Sequence, residues 1–378
     1  MHDFVLREVS NTDIKKELED IGFDKSYLHE AWKKFVYKNM KIYDLSPAQA
    51  NILKQTAISV GADCATHRET ITAKIDKTDC ILGGSYSQLK KIAAKLVMQP
   101  FGLKFLGEEI NNFLQSRKTN STQIVGILNL TQNSFSDGGE FYEFEKAVKH
   151  LEKLIEDGAD IIDIGAESTK PYSTPVLDDE QLMRLIPILE YIRKNNIAIP
   201  ISIDTRSSKV AEECLKLGAK IINDVSGFDY DEKMPDVIAK YGAKVIIQHS
   251  KGTPENMQDK PEYDNLLDEI YLGLKNKIEL AVSKGVKRED IIVDPGIGFG
   301  KTREDNFEII KRVDELYGLG CPVMLGISRK SLLNMPDADN YTKDIYSVAL
   351  NTLAVCKKVD FIRVHNVELN KKLMEVLI

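Results

Sequence analysis

With five cysteines in 378 residues and no Cys-x-x-Cys pair, this chain lacks both a disulfide framework and a cysteine-rich metal motif. Cys64, Cys80, Cys214, Cys321 and Cys356 form an odd, scattered set that fits small apolar residues in a reducing compartment. There is no excess of positive charge either: Lys and Arg total 51 against 58 Asp and Glu, a net charge of −7. That balance argues against a general nucleic-acid or anionic-membrane surface but allows a local basic pocket. No apolar run approaches the ~18–20 residues needed to span a bilayer. The first residues, Met1 to Glu8, lack the basic-then-apolar layout of a signal peptide, so a cytoplasmic location is expected. The composition, 43% apolar and 29% charged, is that of a globular protein with room for one large core and a smaller satellite domain.

From residue 124 onward, eight short apolar runs recur: Ile124–Leu128, Asp160–Ile164, Pro200–Ile203, Lys220–Asn223, Ala243–Ile247, Ile291–Val293, Pro322–Gly326 and Phe361–Val364. Each precedes a segment with helical patterning, and eight βα units of this size predict a (β/α)8 barrel, the TIM barrel. The active site of such a barrel lies at the C-terminal mouth. Asn129, Glu167, Asp204, Asn223, His249, Asp294, Lys330, Arg363 and His365 all fall at or just past a strand end. Helix capping explains one such residue, not nine.

The polar, aperiodic stretch Gln115–Gln123 places a domain boundary near residue 118, giving 1–118 as a small α+β domain and 119–378 as the barrel. In the first domain the pattern predicts a helix over 26–39 and another from Ser46-Pro47 to about Val60. Two β-like runs follow, Thr70–Ile75 and Cys80–Leu82, then a helix over 87–97. No cluster there carries recognisable chemistry, and His67 beside Arg68 reads as an exposed turn.

The barrel half is different. The loop after the first strand, ending Asp137-Gly-Gly139, exceeds the usual ~2–6 residues of a βα connection and reads as a mobile lid. Carboxylates from separate strands facing one mouth repel each other unless a ligand brings donors. A flat heterocycle with an amino-amidine edge would bring them as parallel N–H groups. A metal is the competing account, and with no His-rich or multi-Cys set only Mg²⁺ stays open. Arg363 and His365, two apart, face one side of a strand and with Lys330 suit an oxyanion, since barrels often bind phosphate after strands seven and eight. Gly300-Lys301-Thr302 imitates the end of a P-loop, but the earlier glycine it requires falls on Pro295.

At these residues the chain resembles the dihydropteroate synthase family from about Gln123 to its end. The matching segments, in family order, are GILNLTQNSFSDGG (126–139), ESTKP (167–171), SIDT (202–205), NDVSG (223–227), DPGIGFGKT (294–302), SRKS (328–331) and RVHN (363–366). The resemblance implies condensation of 6-hydroxymethyl-7,8-dihydropterin diphosphate with 4-aminobenzoate, releasing pyrophosphate by an SN1-like path. It implies a pterin set of Asp204, Asn223, Asp294 and Lys330, with Arg363 and His365 on the anion and Asn129 on Mg²⁺. Thr169, Pro171, Phe299 and Ser328 would hold the aminobenzoate. Asp294, Lys330, Asp137 and Lys170 would carry the catalysis. A homodimer is implied as well. The chain departs from the family pattern at Gln132-Asn133, Lys170, Tyr172, Gln248 and Ser250, which bears on loop closure more than on the reaction. A pterin-binding methyltransferase would share the Asp/Asn set but has no need of the Ser-Arg-Lys and Arg-Val-His anion site. A non-catalytic pterin-binding protein is the other alternative.

Overall fold

The computed structural model describes residues 7–11, 13–115, 121–130, 140–167, 175–252, 261–333 and 335–377. The chain divides into two compact units, 1–118 and 119–378.

The first unit is a three-stranded antiparallel sheet, β1 (Tyr37–Leu45), β2 (Asp63–Thr66) and β3 (Thr78–Ser85), in the order β1-β3-β2. Helices Pro47–Ile58, Tyr86–Leu96 and Leu103–Leu114 pack with it around Leu53, Leu82, Leu89 and Ile92. Two of these helices begin in the same way. The side chains of Ser46 and Ser85 accept from the backbone N–H of Gln49 and Gln88, whose amides return a bond to the cap. The expected helix over 26–39 is corrected. Only Leu28–Ala31 is α-helical, a 3-10 turn covers Trp32–Lys34, and β1 starts at Tyr37. Seven residue pairs between β1 and β3, from Tyr37 with Ser85 to Leu45 with Thr78, outweigh the local helical pattern. The run Thr70–Ile75 is not a strand either. His67 Nδ1 accepts from the Glu69 N–H at 3.2 Å and starts a 3-10 turn over Arg68–Thr70, after which Ala73 takes φ +51°.

The second unit is the expected barrel. Its strands are β4 (Gln123–Asn129), β5 (Ile161–Gly165), β6 (Ile201–Asp204), β7 (Ile221–Asp224), β8 (Lys244–Gln248), β9 (Ile291–Asp294), β10 (Met324–Leu325) and β11 (Phe361–Val364). All pair in parallel in the order β10-β11-β4-β5-β6-β7-β8-β9, and a parallel bridge from Val293 to Val323 joins the two ends. A helix follows every strand.

Alternation along these strands sorts the side chains into three sets. Ile162, Ile164, Ile203, Ile222, Val245, Ile247, Val293, Leu325 and Ile362 belong to the large cluster that also holds the helices' apolar faces. Val125, Ile161, Ile221, Ile246, Ile292 and Met324 form a separate apolar cluster, the barrel floor. Two residues further along the same strand faces come Asp163, Asn223, Gln248 and Asp294, which with Asp204 and Arg363 form a polar layer toward the mouth.

Candidate active site

The polar layer is organised around one guanidinium. Arg363 donates from Nε to Asp163 Oδ2 and from Nη2 to Asp204 Oδ2, each at 2.6 Å. Burial opposes the charge on Arg363, but the two facing carboxylates keep its pKa above the ordinary value. Burial pushes the Asp204 carboxyl up to about 7, and Arg363 pulls it back. The expectation that only a ligand could relieve carboxylate repulsion is corrected, because the barrel supplies its own cation.

Asp163 does not stand out in the sequence because it lies inside an apolar run rather than at its end. The signal was present, however, since Asp163 precedes Gly165 by two and so shares its strand face. Asp163 is fully buried and accepts a second bond from Asn223 Nδ2 at 3.0 Å. That bond fixes the amide orientation of Asn223. It leaves Asn223 Oδ1 buried with no partner among the described residues, as are Asp163 Oδ1 and Ser202 Oγ. A buried acceptor left in this state costs free energy that a ligand N–H can recover.

On the opposite side of the mouth, Asp294 Oδ1 accepts from the Gly296 N–H at 2.7 Å. Burial raises the Asp294 carboxyl while Lys330 opposes the shift. Lys330 donates to the Ile297 carbonyl at 2.5 Å and lies 4.6 Å from the centre of the Phe299 ring. Burial pulls the Lys330 ammonium down to about 8, against the pull of Asp294. Gly326 leaves room where these groups meet: a Cβ there would lie 3.6 Å from Lys330 Nζ, 3.9 Å from Asp294 Oδ2 and 3.9 Å from Arg363 Cβ. Gly165 does the same on the far side, with Asn129 Oδ1 at 3.6 Å and Asp204 Oδ2 at 3.7 Å from its Cβ position.

Ser328 and His365 form a unit, with Ser328 Oγ 2.9 Å from His365 Nδ1 and accepting from the His365 N–H at 3.2 Å. Two mouth residues turn out to be engaged in holding the scaffold. Glu167 is buried and accepts from Arg206 Nε at 3.2 Å, Arg206 Nη2 at 2.9 Å and the Val176 N–H at 3.2 Å. His249 is held neutral, pulled down to about 2 by burial and by Lys301. Asp137, Thr169, Lys170 and Pro171, with Gln132, Asn133 and Tyr172, lie outside the described residues.

The structure thus brings Asp204, Asn223, Asp294, Lys330, Phe299, Arg363, Ser328 and His365 to one barrel mouth, with Asn129 at its rim. Residues 125–365 match the family described as pterin binding enzyme. A dihydropteroate synthase of Clostridium beijerinckii is 43% identical over 256 residues, covering 66% of this chain and 91% of that protein. A probable bifunctional folylpolyglutamate synthase/dihydropteroate synthase of Haloferax volcanii is 34% identical over 346 residues and 85% of this chain. The chain spans only 41% of the length of that relative. A bifunctional dihydropteroate synthase/dihydropteroate reductase of Helicobacter pylori is 33% identical over 378 residues, 98% of each protein. Among solved structures, the dihydropteroate synthase of Anaplasma phagocytophilum with bound 6-hydroxymethylpterin-monophosphate superposes with a TM-score of 0.63 at 43% identity, covering 68% of this chain and 98% of that one. By barrel, mouth and relatives alike, the chain belongs to the dihydropteroate synthases, pterin-binding transferases of folate biosynthesis.

Proposed function

We propose that the barrel mouth joins 4-aminobenzoate to 6-hydroxymethyl-7,8-dihydropterin diphosphate, giving 7,8-dihydropteroate and pyrophosphate. The observation that carries this reading is the buried row of acceptors. Asp204 and Asn223 sit on neighbouring strands, Asn223 Oδ1 has no partner among the described residues, and Asp294 lies beside Lys330 on the opposite side of the mouth. In this reading Asp204 and Asn223 accept the N–H donors of the pterin edge, and Lys330 donates to its acceptor side. The bond from the pterin methylene to the diphosphate oxygen breaks with its electron pair going to pyrophosphate. Asp294, fixed by the Gly296 N–H before the substrate arrives, stabilises the resulting pterin cation. The arylamine then forms the new C–N bond beside Phe299 and Ser328 and loses a proton. His365 and the remaining donors of Arg363 face the leaving anion, while Thr169 and Pro171 would serve the aminobenzoate and Lys170 and Asp137 the catalysis.

Asn129 offers one exposed amide oxygen, and no group of three or more metal-ligating side chains occurs among the described residues. That donor set suits Mg²⁺ held mostly by diphosphate oxygens and water, where it would neutralise charge on the leaving group. We also place the enzyme in the cytoplasm, supported by five free thiols. The proposed homodimer would use the exposed stripe Tyr341, Ile345, Tyr346 and Leu353 on helix Asn340–Cys356. No helix among the described residues is long and apolar enough to cross a membrane.

The test is turnover. Folded protein given both substrates and Mg²⁺ is expected to release one pyrophosphate per dihydropteroate formed, and no release contradicts the reading. One observation favours a second activity: the Helicobacter pylori relative named as a reductase aligns with both units of this chain. Reduction of dihydropteroate would need a hydride donor of the reduced nicotinamide or flavin class. In the same assay, dihydropteroate-dependent oxidation of neither donor would remove this second reading.

A further inference from the structure

Among the buried charged residues that the mechanism does not use, one lies against the proposed aminobenzoate wall. Lys301 is 2% exposed, and its Nζ lies 3.1 Å from His249 Nδ1, 3.3 Å from the His249 carbonyl and 3.0 Å from the Phe299 carbonyl. Three acceptors match the three N–H groups of an ammonium, and a neutral amine could serve only two. Because His249 is held neutral, its Nδ1 can accept. Burial pulls the Lys301 ammonium down to about 7, and the Asp294 carboxylate opposes that shift.

The segment that Lys301 closes is tightly laid. Gly296 and Gly300 take φ +71° and +62°, and Cβ atoms there would lie 1.9 Å from the His249 carbonyl oxygen and 2.2 Å from that of Lys251. The loop after β9 therefore rests in backbone contact on the residues that follow β8. Tyr263 adds a hydroxyl bond to the Gly300 carbonyl at 2.7 Å. From the mouth side, Lys330 holds the Ile297 carbonyl and covers the Phe299 ring. Phe299 is thus held at its carbonyl by one lysine and at its ring by another.

We propose that Lys301 is a positioning residue for the reaction, clamping the Phe299 carbonyl to His249 so that the Phe299 ring presents a fixed wall to the arylamine. The inference rests on the proposed placement of 4-aminobenzoate beside Phe299. Lys301→Met keeps the bulk and removes all three donors. It is expected to raise KM for 4-aminobenzoate roughly tenfold while the Kd for pterin diphosphate moves less than about twofold. In Lys301→Ala, added propylammonium should restore that KM, and propan-1-ol, which carries no charge, should not. If Lys301→Met does not fold, His249→Phe reads the same clamp by deleting one acceptor.

Phe299→Ala separates the two layers of the argument. If it leaves KM for 4-aminobenzoate unchanged, the placement of that substrate is wrong and this inference falls with it. If Phe299→Ala raises KM while the clamp variants only lower Tm, the placement stands and Lys301 is merely structural. An equal loss of pterin affinity in the clamp variants also overturns the proposal.

Discussion

Ile221 and Asn223, Ile246 and Gln248, and Ile292 and Asp294 are pairs two residues apart on the same strand faces, one on the barrel floor and one in the mouth. Floor residues are buried against each other, and each contributes roughly 1.5–3 kcal/mol by leaving water. Mouth residues are buried just as deeply, with Asn223 at 1% and Asp294 at 2% exposure, but as polar groups they cost free energy. The barrel offsets part of that cost internally, through Arg363 on Asp163 and Asp204, and leaves part for a ligand, at Asn223 Oδ1. Stability and chemistry are thus separated by one step of the pleat.

The largest expected effect comes from removing the internal cation. Arg363→Met leaves Asp163 and Asp204 buried side by side and should cost about 3–5 kcal/mol in urea unfolding at pH 7. The Asp204 carboxyl, already raised by burial, would lose the cation that pulls it back, so the penalty should shrink as pH falls and it takes up a proton. A penalty that is the same at pH 5 and pH 7 would show that Arg363 stabilises by packing rather than by charge.

The floor should behave in the opposite way. Ile292→Ala is expected to cost about 2–5 kcal/mol of stability. Its KM values and kcat, measured well below its melting temperature, should stay within about twofold of wild type. A tenfold rise in KM for pterin diphosphate would mean that floor and mouth are not separable.

A smaller effect is set by pH. Asp204, raised to about 7, is increasingly neutral below that pH, and Lys330, lowered to about 8, is increasingly neutral above that one. The kcat/KM for pterin diphosphate reports the free enzyme, so it should fall on both sides of a narrow optimum near 7–8. A flat profile from pH 6 to 9 would contradict the assignment of both groups.

The sequence reveals the barrel better than the first unit, for a physical reason. The eight barrel strands are buried on both faces and stand out as apolar runs punctuated by polar ends, so β4 to β11 fall within a few residues of expectation. The strand β1 is held by pairing with β3, about 40 residues away, which no local pattern encodes. In the site, residues at strand ends were legible and those off the ends were not. Asp163 was concealed within Ile161–Ile164. Lys301 belongs to a segment that only imitates a P-loop, and what distinguishes it is its burial beside His249, which no spacing encodes.

The central claim is that the mouth divides pterin recognition from stabilisation of the cation, with Asp204 on the first task and Asp294 on the second. Titration of pterin diphosphate and single-turnover rates, measured on Asp204→Ala and Asp294→Asn, test it directly. Asp204→Ala should lose about 1–3 kcal/mol of pterin binding. Asp294→Asn should bind nearly as wild type but turn over roughly 10²-fold more slowly. Equal losses of affinity in both variants, with the single-turnover rate unchanged, would contradict the account.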